Sequence, residues 1–376
     1  MIEPRNTGNR AAGAGRGFTL IEFLVGSALM MMVIIGALAI YSKSNKVSVD
    51  QQQYAELQHD VRSSMYLISR DVRMAGVGLP LEFNMYSLEG VDNESVSGAV
   101  VTSDRLRILG NLDDPLNLKI QGYQGGVGGA SVTLDLEDYS FEQYPYPDDF
   151  YTNKFVLILP NPASPCRAAE VRILTHVTHS SGGTSEKLNM SPGLAPGVDP
   201  PGGLSGSCSN PDNYDGGLVM FADVREYWLD PTGSYPGLTA NVNGYIGGGA
   251  GGVLYMTKNG VHYPLAQDIE NLQFEYNGDL DGDGTQDGFQ PWQLSWLGDL
   301  DRIGRIRQVR ILILGRTANR FVGVSGTPPA QLHLYRRPAL SNTVADVSDD
   351  LHRRFLLEST ANIRNLSLNI YNTGER

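Results

Sequence analysis

Positive charge is scarce in this 376-residue chain: 29 lysines and arginines stand against 41 acids, a net charge of -12. That argues against non-specific nucleic-acid binding, because neutralising phosphates needs a basic surface. Proline is missing from Phe18 to Gly78, so nothing there forces a helix to break. Cysteine is nearly missing too, with only Cys166 and Cys208. The 44 glycines and 20 prolines follow no period, which excludes a collagen-like chain, and no solenoid repeat is present. No Gly-x-Ser-x-Gly elbow and no HExxH helix appears, and nothing in the sequence recommends an enzyme.

What is present is led by the N-terminus. Residues 1–17 carry Arg5, Arg10 and Arg16 against one acid, Glu3. The 24 residues from Phe18 to Tyr41 contain one charge, Glu22. As a helix they reach about 36 Å, enough for a bilayer core of ~30 Å. Positive residues ahead of the span keep the N-terminus cytoplasmic and send the rest across. A secretory signal peptide fits poorly: the apolar run is too long, carries a carboxylate near its start, and is followed by no small-x-small cleavage site. A plain signal anchor leaves Glu22 unexplained, since an ionisable group in an apolar stretch is expensive and calls for a partner.

The run Arg16-Gly17-Phe18-Thr19-Leu20-Ile21-Glu22 resembles the processing motif of type IV pilins and type II secretion pseudopilins. The resemblance implies that a prepilin peptidase cuts after Gly17 on the cytoplasmic side and that Phe18 is N-methylated. It also implies a pairing of Glu22 with the N-terminal amine of a neighbouring subunit. A glycine lets a protease approach the backbone closely. Cutting there leaves the hydrophobic helix attached and creates a new amine for the carboxylate to offset.

After Tyr41 the composition turns polar, and Tyr54, Leu57, Val61, Met65, Ile68 and Val72 recur at steps of three and four. This spacing predicts an amphipathic helix to about Met74, ending near Gly76 and Gly78 with Pro80 beyond. Its stripe is expected to lie on a sheet.

From Leu79 onward the signals are strands: Leu106–Leu109, Val132–Leu134, Phe155–Leu159, Ala169–Val177, Leu218–Leu229, Val253–Met256, Ile269–Tyr276, Gln308–Leu314 and Ile363–Tyr371. Long surface loops are expected at Gln121–Ala130, Ser180–Gly217 and Gly244–Gly252. The organisation expected is a leader at 1–17, a transmembrane helix at 18–41, its periplasmic half at 42–76 and a globular domain at 79–376. The fold class is α+β, a long N-terminal helix packed on an antiparallel, pilin-like sheet.

Later blocks are similar to PilW-type minor pilins, in the same order along the chain. They are Leu67-Ile-Ser-Arg70-Asp71-Val-Arg73-Met-Ala-Gly76, Pro264 to Tyr276 with its aspartate-rich sequel, Ile306 to Leu314, and Arg353-Arg-Phe with Ile363-Arg-Asn-Leu. This resemblance implies a minor pilin that joins other minor pilins and the major pilin in a tip or priming complex. It implies an inner-membrane prepilin, handled by the pilus assembly platform and then incorporated in the filament. The alternatives are a secretion pseudopilin of the shorter J type, and a tip-located calcium-dependent binding module. An exposed aromatic cluster from Phe289, Trp292 and Trp296 would favour the last.

Asp279-Leu-Asp281-Gly-Asp283-Gly284-Thr285-Gln-Asp287 has the spacing of a calcium loop. Asp279, Asp281, Asp283 and Asp287 are the expected side-chain ligands and Thr285 the carbonyl ligand. The twelfth position is Gln290 in place of a bidentate glutamate, and a strand precedes the loop, so modest affinity is expected. In an extracytoplasmic domain, Cys166 and Cys208 are expected to form a disulfide rather than a metal or redox site, with ~4 kcal/mol in the chain-entropy model. The run Gly247 to Gly252 formally matches a dinucleotide fingerprint but leads into a strand, so it reads as a loop. His176 and His179 fall on opposite faces of a predicted strand, which is poor metal geometry.

Overall fold

The computed structural model describes residues 18–77, 87–94, 103–113, 117–125, 132–136, 154–166, 170–179, 186–191, 210–230, 252–317, 335–345 and 349–364. Gly17, Cys208 and the glycine run before Gly252 lie outside them. The chain divides into two compact units, Met1–Gln52 and Gln53–Arg376.

The regular structure described in the first unit comes from helix α1 (Leu20–Arg73). Its apolar side chains from Leu20 to Tyr41 are exposed. Among the described residues α1 is the one helix long and apolar enough to cross a membrane.

In the second unit α1 turns amphipathic. Leu57, Val61, Met65, Ile68 and Val72 are buried, joined by Ala75 just beyond the helix. They share a core with Tyr227, Leu229, Leu254, Leu272, Phe274, Ile311 and Ile313 of the sheet. The backbone of Gly315 admits the helix closely: a Cβ there would meet Leu57 Cδ1 at 2.6 Å and Val61 Cγ2 at 3.1 Å. Gly76 takes the left-handed conformation (φ 75°) that ends such a helix, and its N–H donates to the Leu109 carbonyl at 3.0 Å.

The strands in chain order are β1 (Leu88–Glu94), β2 (Ser103–Gly110), β3 (Asn117–Gly125), β4 (Val132–Leu136), β5 (Phe155–Leu159), β6 (Glu170–His179), β7 (Glu186–Ser191) and β8 (Leu218–Asp230). They continue as β9 (Gly252–Lys258), β10 (Val261–Gly278), β11 (Gln290–Pro291), β12 (Ile306–Arg316), β13 (Tyr335–Arg336), β14 (Asp349–Asp350) and β15 (Arg354–Asn362). A short helix, α2 (Leu300–Gly304), precedes β12. The main sheet runs β1-β2-β8-β9-β10-β12-β15 in antiparallel order, and β11 adds to β10.

The first half of β8 belongs to a second assembly. Strands β3, β4, β7, β6 and β5 pair in that order, and both ends of the series pair with β8. Val219 is opposite Leu118 on one side and Ile158 on the other. The result is a closed ring of six antiparallel strands, which has no free edge. Its interior holds Leu118, Ile120, Val156, Ile158, Leu174, Val177, Leu188, Met190, Val219 and Phe221. Phe155, Leu157 and Leu159 alternate with these and join a second apolar cluster. Hence the unbroken apolar run of β5 is buried on both faces.

The α+β architecture agrees with the sequence reading, and three details do not. The loop expected at Gln121–Ala130 is strand as far as Gly125, and that expected at Ser180–Gly217 contains β7 and a 3-10 turn at Pro211–Tyr214. Strands of a closed ring find backbone partners on both sides, so hydrogen bonding carries segments of low intrinsic strand propensity. Of the strand expected at Ile363–Tyr371, Ile363 and Arg364 lie past the end of β15, and the rest is outside the described residues. The sequence did not foretell the strand before it, Arg354–Asn362, which is paired along its length with β12. Apolar residues three to five places before Ile363 are few, which hid its burial of Ala361 on the helix side.

Candidate functional site

Thr19 caps α1. Its carbonyl accepts the first helical bond from Phe23 N–H at 3.2 Å, and its hydroxyl accepts from Glu22 N–H at 3.3 Å. Glu22 returns the contact, its Oε2 accepting from Thr19 N–H at 3.0 Å and from the Thr19 hydroxyl at 2.8 Å. This is a reciprocal capping box, satisfying amides that a helix start leaves bare. The partner expected for Glu22 is on another subunit; within the chain its partner is Thr19, for which Thr-x-x-Glu is the sequence signal. Both contacts use Oε2, so among the described residues Oε1 is the oxygen open to an amine. Phe18, the residue next to the expected cleavage site, is exposed.

The aspartate loop leaves the end of β10. Glycines at its turns adopt left-handed conformations (Gly282 φ 84°, Gly284 φ 90°, Gly288 φ 83°). Carboxylate oxygens of Asp279, Asp281 and Asp283 gather within 4.8 Å of one another. Two oxygens on opposite sides of a calcium ion stand about 5 Å apart, so this spacing fits a hard cation with ligand distances of about 2.4 Å. Backbone donors shape the cluster: Gly282 and Gly284 N–H bond to Asp279, and Asp283 N–H bonds to Asp281. The Thr285 hydroxyl and N–H bond to Asp283 and hold its carboxyl below the usual range.

Asp287, expected as a fourth ligand, is not in that cluster. Its Oδ2 accepts from Leu280 N–H at 2.7 Å and Asp281 N–H at 3.3 Å, pinning the loop's two limbs. Gln290 accepts from Gln293 Nε2 at 3.1 Å. The residues present therefore fit calcium through three carboxylates, with the loop's own backbone occupying part of the remaining acid. Arg305, to which no local sequence signal points, lays its guanidinium beneath Gly282, 2.2 Å from where a Cβ would stand. Only the turn into β12 brings that cation to the loop.

Beside the loop, Trp292 and Trp296 are buried. They meet each other at 5.2 Å and Tyr276 at 5.2 and 6.1 Å, all edge to face. Phe289 is half-buried under the Arg310 guanidinium, 3.9 Å from its ring centre. These rings form a base for the loop, so the exposed aromatic cluster that would favour a binding tip is not formed by them. What they lift into solvent is aliphatic, Leu294 and Leu297 on a 3-10 turn.

The end of α1 is tied to the sheet by charge. Asp71 is fully buried and accepts from Arg70 at 3.0 Å, from Arg225 at 2.6 Å and from the Tyr227 hydroxyl at 2.5 Å. Burial, then the nearby Asp71 charge, push the Tyr227 hydroxyl far up, so it remains a donor at ordinary pH. Arg225 continues to Asp113 at 2.5 Å, which also holds Lys258.

Cys166 is half-buried beside the barrel interior, and its expected partner Cys208 lies outside the described residues. His176 and His179 both lie on β6, with a register shift just before His176. His262 is engaged by Thr257 at 2.7 Å, which in turn accepts from Trp228 Nε1 at 2.8 Å.

No protein-family model matches the chain, and no solved structure matches it. A curated protein, the pilin-like protein PilA3 of Thermus thermophilus, is 34% identical over 61 residues. That match covers 16% of this chain and 26% of the relative, about a quarter of its length. With the N-terminal apolar helix and the antiparallel sheet, it supports a pilin-like relationship.

Proposed function

We propose that this chain is a PilW-type minor pilin that helps initiate type IV pilus assembly, in a tip or priming complex with other minor pilins. Its role in this reading is structural, not catalytic. The observation that carries it is α1: capped by Thr19 and Glu22, exposed and apolar over its first half, and seated on a sheet over its second. Such a helix holds a subunit in the bilayer until it is drawn into a filament core. Prepilin peptidase would cut after Gly17. Glu22, through Oε1, would meet the amine of a neighbouring Phe18 in an apolar setting where a charge-assisted bond is strong.

The test is a count of surface pili in a deletion strain with retraction disabled. Few or no pili are expected, with restoration by the intact gene but not by a Gly17→Phe variant that keeps its leader. Normal piliation would overturn the pilus role and move attention to a secretion filament. A normal mature N-terminus in Gly17→Phe would overturn the processing assignment.

We also propose that the Asp279–Asp287 loop binds calcium, with Asp279, Asp281 and Asp283 as carboxylate ligands and Thr285 as the carbonyl. Calorimetry on the detergent-solubilised chain is expected to show one site of modest affinity, weakened by about tenfold or more in Asp283→Ala. No heat at millimolar calcium would refute it.

A further inference from the structure

The main sheet has a gap, and a buried acid fills it. Strand β9 leaves β10 at Ile269, and β11 takes up the same strand only at Glu275. Between them the buried Phe274 N–H finds no strand partner on that side and donates instead to Asp104 Oδ2 at 2.7 Å. Asp104 Oδ1 accepts from Asn93 N–H at 3.0 Å. Asn93 sits in the β1 bulge, where the register shifts between Val91 and Glu94, with φ at 51°. One carboxyl on β2 therefore joins an edge strand to the central strand.

A second carboxyl lies against the first. Asp92 is near enough for its carboxylate to disfavour a charge on Asp104. Asp92 also accepts from Asn342 Nδ2 at 2.6 Å and so holds the tip of the 340–343 turn. Among the described residues no ion pair to either acid of the pair is present. Glu89 on β1 is itself acidic, and Tyr276 on β10 is buried with its phenol far above the usual range through burial and these same acids. Arg105 and Arg107 on β2 are held by Glu226 and Glu89, and Glu275 on β10 is taken by Arg310. Among the described residues Asp104 forms no ion pair. A buried carboxyl without a cation, beside a second acid, favours its protonated form, and Asp104 is the group so placed.

We propose that the Asp92–Asp104 pair is a proton-held latch that fastens the edge strand β1 and the 340–343 turn to β10, and that loss of the proton loosens both. Burial, with a contribution from Asp92 and against the two N–H donors, raises Asp104 to about 7. The sign follows from linkage. The closed form holds a proton that the open, solvated carboxyl releases. Opening therefore becomes easier as pH rises from the usual carboxylate range to about 7, by up to about tenfold per unit, and levels off above. Strand β1 is the part that yields, because among the described residues it is paired on one side only.

Hydrogen exchange on the detergent-solubilised full chain at constant calcium tests this, after correction for intrinsic exchange. Between about pH 5.5 and about pH 7.5, peptides over residues 88–94 and 335–345 are expected to open ~30-fold more, while those over β12 do not change. Asp104→Asn should flatten the profile. Should that variant not fold, Asp92→Asn keeps an acceptor for Asn342 and should move the levelling point to lower pH. Equal protection at both pH values, a rise shared by β12, or a profile unaltered by either substitution would overturn the latch.

Discussion

Arg225→Ala is expected to destabilise the second unit by about 3–5 kcal/mol, the range for removing one partner of a buried ion pair. Asp71 has no exposure, and it sits in the last turn of α1, where the helix dipole disfavours an acid. Arg225, itself buried on β8, offsets both penalties and passes the charge on to Asp113. Without it, among the described residues Asp71 keeps the half-exposed Arg70 and the Tyr227 hydroxyl. Urea unfolding of the detergent-solubilised chain would read the loss as a lower midpoint at constant slope. Asp71→Met combined with Arg225→Met should recover much of it, since well-packed apolar residues often replace a buried pair at little cost. A loss below about 1 kcal/mol for Arg225→Ala would mean the pair is solvated in solution, like an ordinary surface bridge.

Trp296→Ala is expected to cost about 3–5 kcal/mol, as for other large buried aromatics, with a fall in Tm on the order of 10 °C. Trp296 is 1% exposed and closes a three-ring cluster with Trp292 and Tyr276. Removing it empties the space under the turn that carries Leu294 and under the chain entering the aspartate loop. The near-UV circular dichroism of the aromatic cluster should fall with it. Leu294→Ala, two residues away and 86% exposed, should stay within about 0.5 kcal/mol of the parent. Similar losses for the two variants would show that the turn is buried in solution.

Local signals were legible where one property repeats or one motif is compact. The 3.6-residue stripe from Tyr54 to Val72 marked the buried face of α1, and Phe155–Leu159 read as a core strand from its unbroken apolar run. The aspartate spacing marked a loop whose first three acids do converge. The same spacing could not reveal that Asp287 would be consumed by Leu280 and Asp281 N–H groups, because that depends on how the loop closes. Nor could it place Trp292 and Trp296 inside, since an aromatic in a loop segment reads alike whether it faces water or a neighbour.

The sequence by itself determined the long helix, its apolar and amphipathic halves, its proline-free run and the antiparallel sheet that follows. Each of these is set by periodicity and backbone propensity within a few turns or strands. Only the tertiary structure decided that β8 would serve both a closed six-stranded ring and the main sheet, that Asp71 would meet Arg225, and that Asp104 would bridge the gap beside Phe274. Those contacts join residues more than a hundred positions apart. What selects them is the need to satisfy buried charges and amides once the core has formed, a condition no local stretch of chain can express.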